Sequence, residues 1–211
     1  MADRDLGIKI SVGGAIGLLH YWDYRPTHDV DAWWNPAATL QERQEVISVI
    51  RGALQTFGRV QERSWGDVVS IELLENGKRV FSFQIVERSG RLRLPISAPW
   101  RDVLLDSFPD LVASKVVALV ERGAPRDFRD ISALCQAGLT DPAQAWRWWR
   151  ERQQLSGSDI DLHRARLAVT THLVRIAQHR PLAGIADLAE RASAEQVRQW
   201  FAGEFLDALV D

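Results

Sequence analysis

The chain has 211 residues, 46% of them hydrophobic and 26% charged, with a formal net charge of −2. That composition excludes collagen-like, coiled-coil and wholly disordered chains, and the charge argues against a globally basic nucleic-acid-binding surface. A single cysteine, Cys135, rules out an intrachain disulfide framework and a cysteine-based zinc site. The longest apolar stretch, Ile8 to Trp22, is interrupted by His20 and falls short of the roughly 20 residues of a membrane helix. The first five residues include two aspartates and lack the basic-then-apolar order of a signal peptide, so the expectation is a cytoplasmic protein without a membrane partner. Lys9, Lys78 and Lys115 are the only lysines among 26 basic residues.

Ile8 to Val12 alternates as a short strand, and Gly13-Gly14 turns it into an apolar helix over Ala15 to Tyr21. Asp29 to Trp34 reads as a second strand, stopped by Asn35-Pro36. Thr39 and Glu42 form a capping box, which predicts a helix from about Leu40 to Thr56 with Val46, Ile47, Ile50 and Leu54 inward. Val69, Ile71 and Leu73 alternate before Asn76-Gly77, and Phe81, Phe83 and Ile85 alternate after it, which is a hairpin. A strict two-residue loop would oppose Ile71 to Ser82 and mix the faces, so a one-residue bulge is expected, opposing Ile71 to Phe81 and Val69 to Phe83. Ser70, Glu72, Ser82 and Gln84 then share the polar face.

Leu94 to Trp100 reads as a connector. Helical spacing follows over Leu111–Arg122, Phe128–Gln136, Pro142–Gln154, Ile160–Gln178 and Ser193–Leu209, with Ser193 and Gln196 as a second capping box. The expected fold is α+β: a small mixed sheet followed by a helical bundle, with domains over residues 1–92 and 93–211.

Asp29 and Asp31, at i and i+2 of one strand, project to the same face. Two carboxylates that close favour a shared cation, and their hard oxygens suit Mg²⁺ completed by substrate phosphates. Glycines at a strand-to-helix turn let backbone amides approach a phosphate. The second Asp-x-Asp, Asp159-Ile160-Asp161, follows Ser156-Gly157-Ser158 and reads as a helix N-terminus instead.

The segment Val12-Gly13-Gly14-Ala15, followed by Arg25-Pro26-Thr27-His28-Asp29-Val30-Asp31, resembles the AbiEii/AbiGii toxin family of nucleotidyltransferase-like proteins. A second block, Lys115-Val116-Val117-Ala118-Leu119 with Arg122, Arg126-Asp127 and Asp130, resembles the same family, so the similarity spans roughly residues 8–136. The resemblance implies a polymerase-beta-type nucleotidyltransferase core. Gly13 and Gly14 would cradle a nucleoside triphosphate, Asp29 and Asp31 would hold Mg²⁺, and Arg25 and Thr27 would brace the entering loop. Lys115 and Arg122 would face the phosphates or base, with Asp127 and Asp130 ordering that wall through Arg126 or Arg129. It further implies transfer of a nucleoside monophosphate to an RNA 3′ end, with tRNA a candidate, or to a protein hydroxyl, and a cognate antitoxin as partner.

One position departs from the family pattern. Where active members of this fold place a third carboxylate, the chain carries Gln84, which is neither a base nor an anionic ligand. Either Glu72 replaces it from the neighbouring strand, or the protein binds nucleotide and transfers it weakly. His20 and His28 flank the site as loop residues, and the other histidines carry no metal-ligand spacing. Trp33 shares the face of Asp29 and Asp31, where it would pack or stack near a base. Trp146 and Trp149 are core residues by spacing, which leaves Trp148, among Arg147, Arg150 and Arg152, as the exposed ring.

Overall fold

The computed structural model describes residues 5–88, 90–98, 100 and 102–209. The first four residues and Pro99 of the expected connector lie outside them. Two compact units divide the chain, Met1–Leu111 and Val112–Asp211.

The first unit is built on a seven-stranded mixed sheet. Its strands are β1 (Ile10–Val12), β2 (Asp29–Trp34), β3 (Arg59–Trp65), β4 (Val68–Glu75), β5 (Lys78–Val86), β6 (Ile96–Ser97) and β7 (Leu104–Leu105). Their order across the sheet is β3-β4-β5-β2-β1-β7-β6. β2 runs antiparallel to β1 and parallel to β5, and β7 runs parallel to β1. The six-residue helix α1 (Gly14–Leu19) follows β1, and α2 (Leu40–Gln55) follows β2. The capping box is formed: Thr39 Oγ1 accepts from Glu42 N at 3.3 Å, and Glu42 Oε2 accepts from Thr39 N at 2.8 Å.

The apolar face of the sheet forms one core, in which Leu6, Ile10, Ala32, Trp34, Ile71 and Ile85 pack with Val46 and Ile50 of α2. β2 shows how the faces separate. Ala32 and Trp34 are buried in that core, while Asp29, Asp31 and Trp33 alternate to the other side.

Three local expectations are corrected, and one strand was not foreseen. The first strand is shorter, because Leu6–Lys9 forms a 3₁₀ turn before β1. β3 has almost no buried side chain, so it lacks the alternation that announces a strand; it exists because β4 offers it a pairing edge. The connector contributes the two-residue strands β6 and β7. The hairpin carries its bulge, but the extra residue lies on β5, so Ile71 opposes Phe83 and Leu73 opposes Phe81. The register differs by two residues from the expected one and keeps its parity, so the same side chains reach each face.

The second unit is helical. Its members are α3 (Phe108–Glu121), which begins in the first unit, α4 (Pro125–Gln136), α5 (Pro142–Leu155), α6 (Leu162–His179) and α7 (Leu188–Trp200). The Ser193 capping box is not formed, because α7 starts a turn and a half earlier, with Asp187 accepting from Glu190 N at 2.7 Å. Asp161 caps α6 through Arg164 N at 3.0 Å, as expected of a helix N-terminus. The core is aromatic: Trp146 and Trp149 meet edge-on at 5.5 Å, and Phe128 and Phe201 at 4.7 Å. A π-helical turn over Phe201–Phe205 presents the Phe205 carbonyl to Trp146 Nε1 at 2.9 Å. Trp148 is half-buried rather than exposed. No helix among the described residues is long and apolar enough to cross a membrane.

Candidate functional site

The polar face of the first unit gathers the glycine pair and both strand carboxylates. Gly13 N donates to Asp31 O at 2.8 Å, which fixes the end of β1 against β2. Gly14 has φ +59°, and a Cβ there would lie 2.2 Å from Asp31 Oδ2. A Cβ on Gly13 would lie 2.6 Å from Trp33 Nε1. The loop therefore rests directly on two same-face side chains of β2, and only glycine permits that approach. α1 is too short to add much dipole, so the backbone of the loop is what would meet an anion.

The neighbouring strand decides the rest of the face. The β2–β5 register places Ser82 beside Asp29 and Gln84 beside Asp31. Ser82 Oγ donates to Asp29 Oδ1 at 2.6 Å, which orients that carboxylate. One strand further, Glu72 pairs with Ser82 and Ser70 with Gln84. Glu72 is buried, with Arg63 Nε at 3.4 Å and Arg79 Nη1 at 3.6 Å, so its carboxylate is engaged by two arginines, and Ser82 stands between it and Asp29.

Thr27 Oγ1 accepts from Asp29 N at 3.4 Å at the entry to β2. Arg25 turns onto its own loop, donating to Pro26 O at 3.1 Å and lying over the Tyr24 ring. His28 is exposed, and its carbonyl accepts from Ser82 N at 3.1 Å. His20 is also exposed, its ring edge-on to Tyr21.

Lys115, Arg122, Arg126, Asp127 and Asp130 belong to the second unit. Lys115 is buried there, with Nζ 2.8 Å from Asp130 Oδ2. Arg122 holds Asp127 through two bonds of 2.9 Å, and Asp127 also accepts from Ala124 N at 3.2 Å at the start of α4. The expected pairing of Asp127 with a neighbour on its own helix is replaced by one that ties α3 to α4. Arg126 is exposed.

A buried polar network in the first unit had no counterpart in the sequence reading. Arg88 pairs with Asp106 and, at 3.4 Å, with Asp110. Asp106 also accepts from Ser11 Oγ at 2.8 Å, while Asp110 accepts from Leu92 N at 2.9 Å and Arg93 N at 3.0 Å. Burial pushes the Asp106 carboxyl above its ordinary range, against the opposing pull of Arg88. One signal was available: Ser107 and Asp110 are a Ser-x-x-Asp pair before an apolar helix, and Ser107 Oγ accepts from Asp110 N at 3.3 Å.

As a donor set, Asp29 and Asp31 suit Mg²⁺, which is commonly held by one or two carboxylates with phosphate oxygens completing its shell. No group of three or more His, Cys, Asp or Glu side chains is arranged to hold a metal among the described residues.

A strand bearing two same-face carboxylates under a glycine loop suits a divalent cation and the phosphate oxygens that would complete its shell. The sequence assigns it more narrowly: the chain belongs to the family described as nucleotidyl transferase AbiEii toxin of type IV toxin–antitoxin systems, whose model matches residues 1–202. Membership supports a nucleotidyl-transfer role and implies a cognate antitoxin. Among solved structures, the chain is similar to an antigenic nucleotidyltransferase-like protein from Paracoccidioides brasiliensis, with 16% identity and a TM-score of 0.41, over 88% of this chain and 84% of that one. An overlap that loose does not align the two sites. None of the curated proteins matches the chain.

Proposed function

We propose that the protein is an Mg²⁺-dependent nucleotidyltransferase that moves a nucleoside monophosphate from a nucleoside triphosphate to an RNA 3′ end, tRNA among the candidates, or to a protein hydroxyl. The observation that carries this reading is the seating of Gly14 on the Asp31 carboxylate, with Asp29 on the same face. Phosphates lying on the loop would adjoin Asp31, and Asp29 shares its face, so a cation there would meet carboxylate and phosphate oxygens together. Mg²⁺ held by Asp29 and Asp31 would neutralise charge on the triphosphate and polarise its α-phosphoryl group.

In the transfer, the acceptor oxygen bonds to the α-phosphorus, the bond to the bridging oxygen breaks and pyrophosphate leaves. The hydroxyl proton must go to a base. Gln84, directly beside Asp31, cannot take it. Glu72 has the right chemistry, but Arg63 and Arg79 engage it on β4, two strands from Asp31. This geometry favours a second reading, a nucleotide-binding protein of the same fold that transfers slowly.

Incubation of the chain with each α-labelled ribonucleoside triphosphate and Mg²⁺, with total tRNA present or absent, tests both readings. Label on RNA or on the protein that vanishes in Asp29→Ala and Asp31→Ala supports the transferase. Gln84→Glu is expected to raise the rate if the missing carboxylate limits it. Mg²⁺-dependent binding without transfer supports the second reading, and the absence of both binding and transfer ends each of them.

A further inference from the structure

Trp33 lies two residues after Asp31 on the same face of β2, beneath the glycine loop. The Arg88 guanidinium covers its ring, 4.3 Å from the centroid. Arg88 is itself held by Asp106 and Asp110, with its side chain only 3% exposed. One ring face is thus closed to base stacking, and the indole edge bearing Nε1 is turned toward Gly13.

That N–H is buried and has no hydrogen-bond acceptor among the described residues, and Arg88 Nε shares this condition. A buried donor without a partner costs free energy and calls for an explanation, and an acceptor supplied by a ligand is one. Indole nitrogen is a donor only, so its complement is an oxygen acceptor, and an anionic oxygen binds it most strongly. Two carboxylates already offset the Arg88 charge, so a direct hydrogen bond rather than net attraction is what this wall offers an anion.

We propose that Trp33 is a phosphate-binding residue, its indole N–H donating to a triphosphate oxygen seated on the Gly13–Gly14 loop. Arg88 is a positioning residue that holds the ring edge-on. Gly13 lies over this edge with no side chain to block an approach to it, its own N–H and carbonyl held by Asp31 and Gly17. The proposal rests on the nucleotide-binding reading above and adds to it a contact that discriminates phosphate, not base.

The test measures binding of the four ribonucleoside triphosphates and of inorganic tripolyphosphate to the full chain by calorimetry with Mg²⁺. Trp33→Phe should weaken the bound nucleotide by about ten-fold, the worth of one hydrogen bond to a charged group, and tripolyphosphate by the same factor. Benzothienylalanine at position 33 keeps the ring size and lacks the N–H, so it should weaken both ligands equally. Arg88→Lys should also weaken both, and combining it with Trp33→Phe should add little, since Arg88 acts through the same N–H.

Unchanged affinity in Trp33→Phe overturns the proposal. So does a loss that benzothienylalanine restores, which would mean ring packing, or a loss seen with the nucleoside triphosphates and not with tripolyphosphate, which would mean base or sugar contact. If Arg88→Lys and Trp33→Phe weaken binding additively, the positioning role of Arg88 is wrong. Wild-type protein that binds none of the five ligands overturns both this proposal and the nucleotide reading. Binding that is lost in Asp31→Ala and intact in Trp33→Phe overturns only this one.

Discussion

The two faces of the sheet are buried for opposite reasons. On the α2 side, Ile71 and Ile85 are fully buried among apolar neighbours, where exclusion of water is itself the stabilising term. On the other side, Ser70, Ser82 and Glu72 are just as inaccessible, yet each lies in a row that ends at Asp29 or Asp31. Adjacent residues of one strand thus serve different ends. A sheet makes this possible because its side-chain period of two separates the faces cleanly. The helical unit closes its buried carboxylates with cations too, but takes them from nearby in the chain, as in Lys115–Asp130 and Arg122–Asp127.

Substitutions can break this contrast. The largest effect is expected in the helical unit. Lys115→Ala leaves Asp130 buried beside an empty space and should lower stability by about 3–5 kcal/mol, read as a shift in the denaturant midpoint at constant slope. Lys115→Met combined with Asp130→Leu should recover most of that loss, which separates an ion pair from a packing defect.

On the sheet, Ile71→Ala should cost about 2–5 kcal/mol through the cavity it opens. Ser70→Ala, one residue away, removes a buried hydroxyl that has no hydrogen-bond partner among the described residues. It should leave the midpoint unchanged or raise it. A loss in Ser70→Ala matching that of Ile71→Ala would mean that the polar face is a second core and not a functional surface.

The smallest effect is a pH dependence at the start of α2. The hydrogen bond from Lys9, with those from the Thr39 backbone and hydroxyl, holds the Glu42 carboxyl down at about 2 against an ordinary 4.5. The folded-state value is depressed, so the contribution is complete above about 4.5 and fades as pH falls toward 2. Glu42 is only half-buried and its interactions are screened by solvent, so the slope should be shallow. An acid titration of thermal stability should show it in wild type and not in Glu42→Gln.

Much of the fold was legible because its signals are local. The alternation of Asp29 to Trp34 put both carboxylates on one face, Thr39 and Glu42 announced α2, and the apolar residues around Asn76-Gly77 required a bulge. The sequence could not say which strand carried the bulge, since either choice keeps the faces pure; the observed pairing of Ile71 with Phe83 settles it. It also passed over β3, whose exposed side chains carry no alternation.

The sequence by itself determined the residue types of the candidate site and the faces they occupy, because glycine tolerance, strand parity and helix capping act within a few residues. The tertiary structure alone decided what surrounds them. It set Ser82 beside Asp29, Arg88 over Trp33, and Asp106 against Ser11, a contact across 95 residues of chain. Such contacts follow from strand order and register, and no periodicity in the intervening sequence records them.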